Sequence, residues 1–251
     1  MSRAARLQEL IRSSIMIYRA FRRKTANIFP ERALAACLSL TSIFALDLSA
    51  QAQPKRVLVF GDSLTSGFNL PEGTDYSWAL RRHLARRGLT DVQIMRASRA
   101  GDTTDVAIER IPLAFSRGAD LVIVELGGND MTGDVDPATV RRNLKTIVAH
   151  SKAQGAKVIL AGMVSLPKRD PSYKPRFDAI YPALAAQERV ALYPFFLDGA
   201  FGNPAMMQED GKHPNERGSD LIAARMAPMV ARELQAMDRG AYAYARPRRT
   251  R

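Results

Sequence analysis

The chain has 251 residues and a formal net charge of +12, with 37 lysines and arginines against 25 aspartates and glutamates. This length is enough for one ordinary α/β domain. Cys37 is the only cysteine, and it lies in a segment expected to be removed. The mature chain is therefore expected to lack disulfide bonds, a cysteine nucleophile and thiolate metal sites.

Residues 1–52 have the pattern of a secretory signal. Basic residues at 19–24 precede an apolar run at 33–46 that is too short for a comfortable membrane span, and residues 50–52 have the small side chains of a cleavage site. The sequence therefore predicts a periplasmic or secreted protein, cleaved after residue 52. Two alternatives remain: residues 34–37 resemble a lipoprotein acylation box, which would give an anchored form, and the paired arginines at 22–23 resemble a twin-arginine export signal.

Much of the positive charge lies outside the predicted domain, residues 56–237. Residues 1–52 hold 8 basic and 3 acidic residues, so their removal leaves 29 minus 22, a net charge of +7. A basic tail is predicted at residues 238–251, and Arg246, Arg248, Arg249 and Arg251 supply four of those positive charges. The domain is thus only mildly basic. Nucleic acid is not expected as a partner, membrane contact is peripheral at most, and no obligate protein partner is indicated.

Five apolar segments alternate with helical segments through the domain. Strands are predicted at Val57–Phe60, Val92–Ala97, Leu121–Val124, Lys157–Met163 and Val190–Phe196. Helices are predicted at Asp75–Arg87, from Asp102 or Thr103 to about Ile111 because Pro112 follows, at Asp136–Ala153, at Phe177–Gln187, and from Asn215 to about Met237. This alternation predicts a five-stranded parallel sheet with helices on both faces, a three-layer α/β/α sandwich.

Polar residues follow several of these strands at their carboxyl ends. Ser63 follows the first strand, Gly101 the second, and Asn129 the third, in a turn opened by a double glycine. Each is typical of an ordinary turn when taken alone. Because the carboxyl ends of parallel strands converge on one edge of a sheet, we expect these residues to meet there. Asp62, beside Ser63, is expected to hydrogen-bond the turn backbone and to take no part in proton transfer.

Asp210 and His213 lie three residues apart across a glycine, just before the last helix. A serine nucleophile needs a base for its proton, and the base needs a carboxylate to orient it. Ser63, His213 and Asp210 therefore form the predicted catalytic set. The N–H groups of Ser63 and Gly101 and the side-chain amide of Asn129 are the predicted oxyanion donors.

The substrate pocket is expected to be apolar and partly open. Met131, Leu166 and Met206 are the predicted substrate-binding residues, because methionine adapts to varied chain shapes. A proline-containing loop from Leu166 to Lys174 is long enough to shape such a pocket.

Four ordered blocks of the chain resemble the signatures of the SGNH (GDSL) hydrolase family. The blocks are Gly61-Asp62-Ser63-Leu64, Gly101-Asp102-Thr103, Gly127-Gly128-Asn129-Asp130 and Asp210-Gly211-Lys212-His213-Pro214. The chain is most similar to the bacterial arylesterase, thioesterase I and lysophospholipase L1 branch. The resemblance implies a flavodoxin-like strand order 2-1-3-4-5, the site residues given above, and an exported enzyme with no metal and no cofactor.

These features predict a serine esterase that hydrolyses small acyl esters or lysolipids, and thioesters as a further class, through an acyl-enzyme. Two other functions are compatible with the same sheet. A carbohydrate O-deacetylase would remove only acetyl groups. A non-catalytic binder of flavin or phosphate would use the first loop and give no role to Asp210 and His213.

Overall fold

The computed structural model describes residues 54–166 and 170–245, with side chains up to Met237. Five strands form one sheet in which all neighbouring strands are parallel, in the order β2-β1-β3-β4-β5. The strands are β1 (Lys55–Gly61), β2 (Val92–Arg96), β3 (Leu121–Glu125), β4 (Lys157–Ala161) and β5 (Ala191–Tyr193). This arrangement confirms the predicted fold class and strand order.

Helices fill the connections between the strands and form the two outer layers. They are α1 (Ser63–Ser66), α2 (Tyr76–Ala85), α3 (Thr104–Ala114), α4 (Gly128–Thr132), α5 (Pro137–Ala153), α6 (Tyr173–Asp178), α7 (Ile180–Glu188) and α8 (Glu216–Ala245). Helices α2 and α8 pack against each other, whereas α5 packs between α3 and α7. The last helix of the described residues thus lies against α2, the first long helix.

The central strands are the most deeply buried part of the molecule. Every residue of β3 is buried, as are the last five of β1, which explains why both strands have continuous apolar runs and no alternation. The register pairs Gly61 with Glu125 at the carboxyl end of this strand pair. The two turns that follow β1 and β3 therefore begin side by side.

Helix α3 differs from its prediction, because it continues through Pro112 to Ala114. A proline inside a helix removes one backbone hydrogen bond and usually ends or bends it. Here Ile111 and Phe115 are buried on the core side, while Leu113 is 76% exposed on the other side. Packing of the two buried side chains holds the last turn in place despite the missing bond.

The last helix is also longer than predicted, since it continues to Ala245, beyond the expected end near Met237. The predicted signal segment, residues 1–52, lies outside the described residues, as do the last residues of the tail. Among the helices of residues 54–166 and 170–245, none is long and apolar enough to cross a membrane.

Candidate active site

Ser63 is the first residue of the short helix that follows β1, and its side chain is mostly buried. The turn before it is tight, because a Cβ atom on Gly61 would lie 2.3 Å from Thr65 Oγ1 and 2.7 Å from the Glu125 carbonyl oxygen. Asp62 caps the helix by accepting a hydrogen bond from the Leu64 N–H at 3.0 Å. The expectation that Asp62 bonds the turn backbone is thereby confirmed.

The structure brings the three predicted catalytic residues into one hydrogen-bonded line. His213 Nε2 lies 2.9 Å from Ser63 Oγ, and His213 Nδ1 lies 2.5 Å from Asp210 Oδ2. Ser63 comes from the end of β1, while the other two come from the loop before α8. A neutral imidazole can thus donate its Nδ1–H to the carboxylate and accept the serine proton at Nε2.

The loop around Asp210 is arranged to keep this carboxylate ionised. Its Oδ1 atom accepts the backbone N–H groups of Lys212 at 2.8 Å and His213 at 3.0 Å. Partial burial acts to raise the pKa of Asp210, but these bonds and the contact with the His213 ring lower that pKa to about 2. The Phe68 ring packs against the imidazole, with ring centroids 4.7 Å apart.

Asn215 fastens the same loop to α8. Its Nδ2 atom donates to the Met207 carbonyl at 3.2 Å, and its Oδ1 atom accepts the Gly218 N–H at 3.0 Å. The Asn215 N–H donates to the Met206 carbonyl at 2.9 Å. A Cβ atom on Gly218 would lie only 2.0 Å from that carbonyl oxygen. The first turn of α8 therefore holds the catalytic loop by direct backbone contact.

Asn129 lies between the nucleophile turn and the turn that contains Gly101. Its Nδ2 group donates to the Asp102 carbonyl at 2.9 Å and lies 3.3 Å from Asp62 Oδ2. The backbone N–H groups of Ser63 and Gly101 donate no hydrogen bond to another described residue. These two N–H groups can therefore serve an oxyanion, and the Asn129 amide can join them by releasing its longer bond, the one to Asp62.

Arg110, which the sequence did not single out, holds the Gly101 turn. Its guanidinium group donates to the Ala97 carbonyl at 2.6 Å and the Gly61 carbonyl at 3.1 Å, and it forms an ion pair with Asp102. It therefore connects the ends of β1 and β2 to the turn that carries a predicted oxyanion donor.

Two buried acidic side chains lie in or beside the nucleophile turn, Asp62 and Glu125. Glu125 is completely buried, and its burial, together with the charge of Asp62, raises its pKa well above the ordinary value. Burial is also the main cause that raises the pKa of Asp62 to about 7, with smaller contributions from Asp130 and Asp102. Sequence reasoning missed Glu125, although an acidic residue at the end of the most apolar strand was a signal of its unusual position.

An apolar cavity of about 440 Å³ opens beside Ser63 and His213. Met131 and Leu166 line it, as the sequence predicted. Met206 does not; it lines a separate surface depression beside α8, because its backbone bonds to Asn215 and Asn203 keep it on that side. A substrate-binding role of Met206 stays a prediction.

Aromatic side chains contribute to the same cavity without having been predicted. Phe195 and Phe201, which follow β5, line it together with Leu197, and Phe201 is 43% exposed at the rim. In the described part of the chain, no group of three or more His, Cys, Asp or Glu side chains could hold a metal ion.

Comparison with known proteins agrees with this geometry. Residues 59–221 match the model of the GDSL-like lipase/acylhydrolase family. Esterase TesA of Pseudomonas aeruginosa is 39% identical over 183 residues, which are 72% of this chain and 88% of that protein. An arylesterase of Vibrio mimicus is 34% identical over 198 residues, or 78% of this chain and 98% of the relative.

Solved structures give the same result. A crystal structure of TesA matches with a TM-score of 0.67 and 35% sequence identity. The match covers 71% of this chain and 99% of the TesA chain. The structure of AlinE4, an SGNH-hydrolase family esterase, has a TM-score of 0.61 at 34% identity and covers 74% and 99% of the two chains. The chain therefore belongs to the GDSL-like lipase/acylhydrolase family and is a carboxylic ester hydrolase.

Proposed function

We propose that this enzyme hydrolyses acyl esters through a covalent acyl-enzyme formed on Ser63. The observation that carries the proposal is the unbroken line from Ser63 Oγ through the His213 ring to Asp210, with distances of 2.9 and 2.5 Å. A hydroxyl, an imidazole and an ionised carboxylate in this order are the parts that nucleophilic acyl transfer requires.

In the first half of the reaction, Ser63 Oγ bonds to the ester carbonyl carbon while His213 Nε2 takes the hydroxyl proton. The carbonyl oxygen becomes an oxyanion, to which the N–H groups of Ser63 and Gly101 and the Asn129 amide can donate. Protonated His213, stabilised by Asp210, then gives its proton to the leaving oxygen. The bond from the carbonyl carbon to that oxygen breaks, and the acyl group remains on Ser63.

Water completes the cycle. His213 takes a proton from the attacking water, whose oxygen bonds to the acyl carbon. The second tetrahedral species collapses when the bond from that carbon to Ser63 Oγ breaks, and His213 returns the proton to the serine. The products are the carboxylic acid and the free enzyme.

The test is the variant Ser63→Ala, assayed on short p-nitrophenyl esters. We expect a loss of kcat of roughly 10⁴-fold or more, because the acyl-enzyme can no longer form. The thermal stability should stay near that of the wild type. A fluorophosphonate probe should label the wild type and not the variant. A variant that kept a tenth of the activity would contradict the mechanism.

We propose that the acyl chain of the substrate lies in the apolar cavity and that the leaving group faces solvent. The support is the position of the cavity, which begins at Ser63 and His213 and is lined by Met131, Leu166 and Phe201. Aryl esters, lysophospholipids and acyl thioesters all combine an apolar acyl chain with a variable leaving group. Their relative rates on purified enzyme are the corresponding measurement.

We also propose that the enzyme acts in the periplasm or outside the cell. The support is the sequence pattern of basic, apolar and small residues within residues 1–52. N-terminal sequencing of the protein recovered from the periplasm or medium should give a chain that begins after residue 52. Recovery of the intact chain from the cytoplasm alone would contradict export.

A further inference from the structure

We propose that Lys212 is a specificity-determining residue, whose ammonium group selects esters that carry a phosphate on the leaving group, a few bonds from the ester oxygen. The inference deepens the proposed esterase function and rests on it. It concerns which leaving groups the site prefers, whereas the line of Ser63, His213 and Asp210 concerns how the ester bond breaks.

Lys212 brings a positive charge to a cavity that is otherwise mostly apolar. It lines the same cavity of about 440 Å³ as Ser63 and His213. It is also exposed to solvent, which places it at the mouth of that cavity. Among the described residues that line the cavity, it is the only lysine or arginine. The binding of an acyl chain does not explain this charge, because an apolar chain gains nothing from an ammonium group.

The backbone of Lys212 is held within the catalytic loop. Its N–H donates to Asp210 Oδ1 at 2.8 Å. The next residue is His213, whose own N–H donates to the same oxygen at 3.0 Å and whose Nε2 atom lies 2.9 Å from Ser63 Oγ. The bonds that position the base therefore also position the start of the lysine side chain.

The ammonium group of Lys212 is available to a ligand. Its Nζ atom forms no hydrogen bond or ion pair with another described residue. The acid closest to it in sequence, Asp210, is already engaged by the His213 ring and by two backbone N–H groups. By contrast, Lys174, which also donates to the carbonyl of a cavity-lining serine, is ion-paired with Asp178 at 2.7 Å. The charge of Lys212 is thus left for the substrate.

The position of Lys212 assigns the anion to the leaving group and not to the acyl group. The inner wall of the cavity is apolar and buried, with Met163 and Leu197 only 5% and 4% exposed. An anion there would lose its hydration without gaining a partner. His213 gives its proton to the leaving oxygen in the proposed mechanism, so the leaving group lies against this ring and beside Lys212.

A phosphate is the anion that this side chain fits. A lysine ammonium binds phosphate as a point charge, at the end of a flexible four-carbon stem. A glycerol phosphate leaving group carries its charge only a few bonds from the ester oxygen, which is within reach of that stem.

Two esters that differ only in the phosphate test the proposal: octanoyl lysophosphatidate carries it, and octanoyl monoglyceride lacks it. The measured quantity is the ratio of their kcat/KM values at low ionic strength. Lys212→Met keeps most of the stem and removes the charge, so it should lower this ratio about fivefold, as an exposed ion pair contributes modestly. Lys212→Arg should retain most of the wild-type ratio. Added salt should lower the ratio of the wild type towards that of Lys212→Met.

The ratio cancels any effect that a substitution has on the steps shared by both esters. Lys145→Met, at an exposed lysine of α5 outside the cavity, is the matched control and should leave the ratio unchanged. Thermal unfolding establishes that each variant is folded, and Lys212→Gln gives the same comparison should Lys212→Met not fold.

An equal ratio in the wild type and Lys212→Met, or an equal fall in Lys145→Met, would overturn the selection of phosphate by Lys212. Labelling of the wild type by a fluorophosphonate without hydrolysis of the lysophosphatidate would also overturn it, and would leave the proposed function standing. A wild type that hydrolysed no ester and bound no fluorophosphonate would instead overturn the proposed function.

Discussion

Glu125 and Asp210 are both carboxylic acids of the active site, but their surroundings move their pKa values in opposite directions. Asp210 is partly exposed and receives two backbone N–H groups, so its pKa is lowered to about 2. Glu125 is buried on β3 among other acids, so its pKa is raised. One acid is thus ready to stabilise a positive imidazole, and the other is ready to hold a proton.

This difference predicts how stability depends on pH. The folded chain keeps the Glu125 proton at pH values where the unfolded glutamate has lost it, so the contribution of Glu125 to stability is full at low pH and declines as pH rises. Glu125→Gln removes that contribution. We expect the free energy of unfolding of the variant to fall less steeply than that of the wild type as pH rises above about 5, by up to about 1.4 kcal/mol per pH unit.

Urea unfolding at several pH values measures both slopes. The exposed glutamate Glu109 on α3 supplies the control, since Glu109→Gln should leave the slope of the wild type unchanged. Parallel curves for the wild type and Glu125→Gln would contradict a proton held by Glu125.

Some residues of this site could be identified from their residue types alone. The others could be identified only from the way in which neighbouring strands pair. Ser63, Asp210 and His213 could be found from the sequence, because few residue types can act as nucleophile, base and orienting acid. Glu125 and Arg110 could not, because their roles depend on neighbours from other strands. The pairing of Gly61 with Glu125 follows from the register of β1 and β3, and sequence spacing does not specify a register.

At the level of elements, the first turn of α8 determines where the base lies. Gly218 on this turn touches the Met206 carbonyl at the start of the catalytic loop, and any Cβ there would overlap with backbone. A side chain at the end of a flexible chain could move aside, but a carbonyl in a hydrogen-bonded loop moves only with the loop.

Gly218→Ala should therefore displace the loop that carries His213. We expect a destabilisation of about 1–2 kcal/mol, since overpacking exceeds the gain in helix propensity. The shift of the imidazole should lower kcat by at least about tenfold. Thermal unfolding and ester hydrolysis are the two measurements. Arg217→Ala, at the exposed neighbouring position, should change neither, and a fully active Gly218→Ala would show that the loop adapts.

The sequence predicted strands correctly where both faces of the strand are buried. It predicted element ends wrongly where tertiary packing overrides the local preference of the sequence. Strands β1 and β3 were recognisable because both faces are covered, so their sequences are continuously apolar. The edge strand β5 is shorter than its apolar run indicated. Pro112 lies inside α3 because Ile111 and Phe115 anchor the turn, and such tertiary contacts are not visible in a local sequence pattern.

At the level of the whole molecule, the cavity predicts how the enzyme selects acyl chains. Each methylene that leaves water for an apolar pocket contributes about 0.8 kcal/mol, which corresponds to roughly a fourfold gain in kcat/KM. We therefore expect kcat/KM to rise from acetyl to medium-chain p-nitrophenyl esters and then to level off when the cavity of about 440 Å³ is filled.

A series of esters of increasing acyl length, assayed on the wild type and on Phe201→Ala, measures this dependence. The rim variant should lose rate on the longer esters and keep its rate on the acetyl ester. Indifference to length would contradict an acyl role for the cavity. Hydrolysis confined to acetyl groups, including those on sugars, would favour the carbohydrate O-deacetylase.

The contact between Ser63 and His213 joins positions 150 residues apart in the chain. During synthesis, the half of the molecule that carries the nucleophile leaves the ribosome well before the half that carries its base. A polypeptide that stops before position 213 lacks the imidazole and so has no complete catalytic set, however well its first strands have formed. The nucleophile and its base meet only when the loop before α8 docks beside the end of β1.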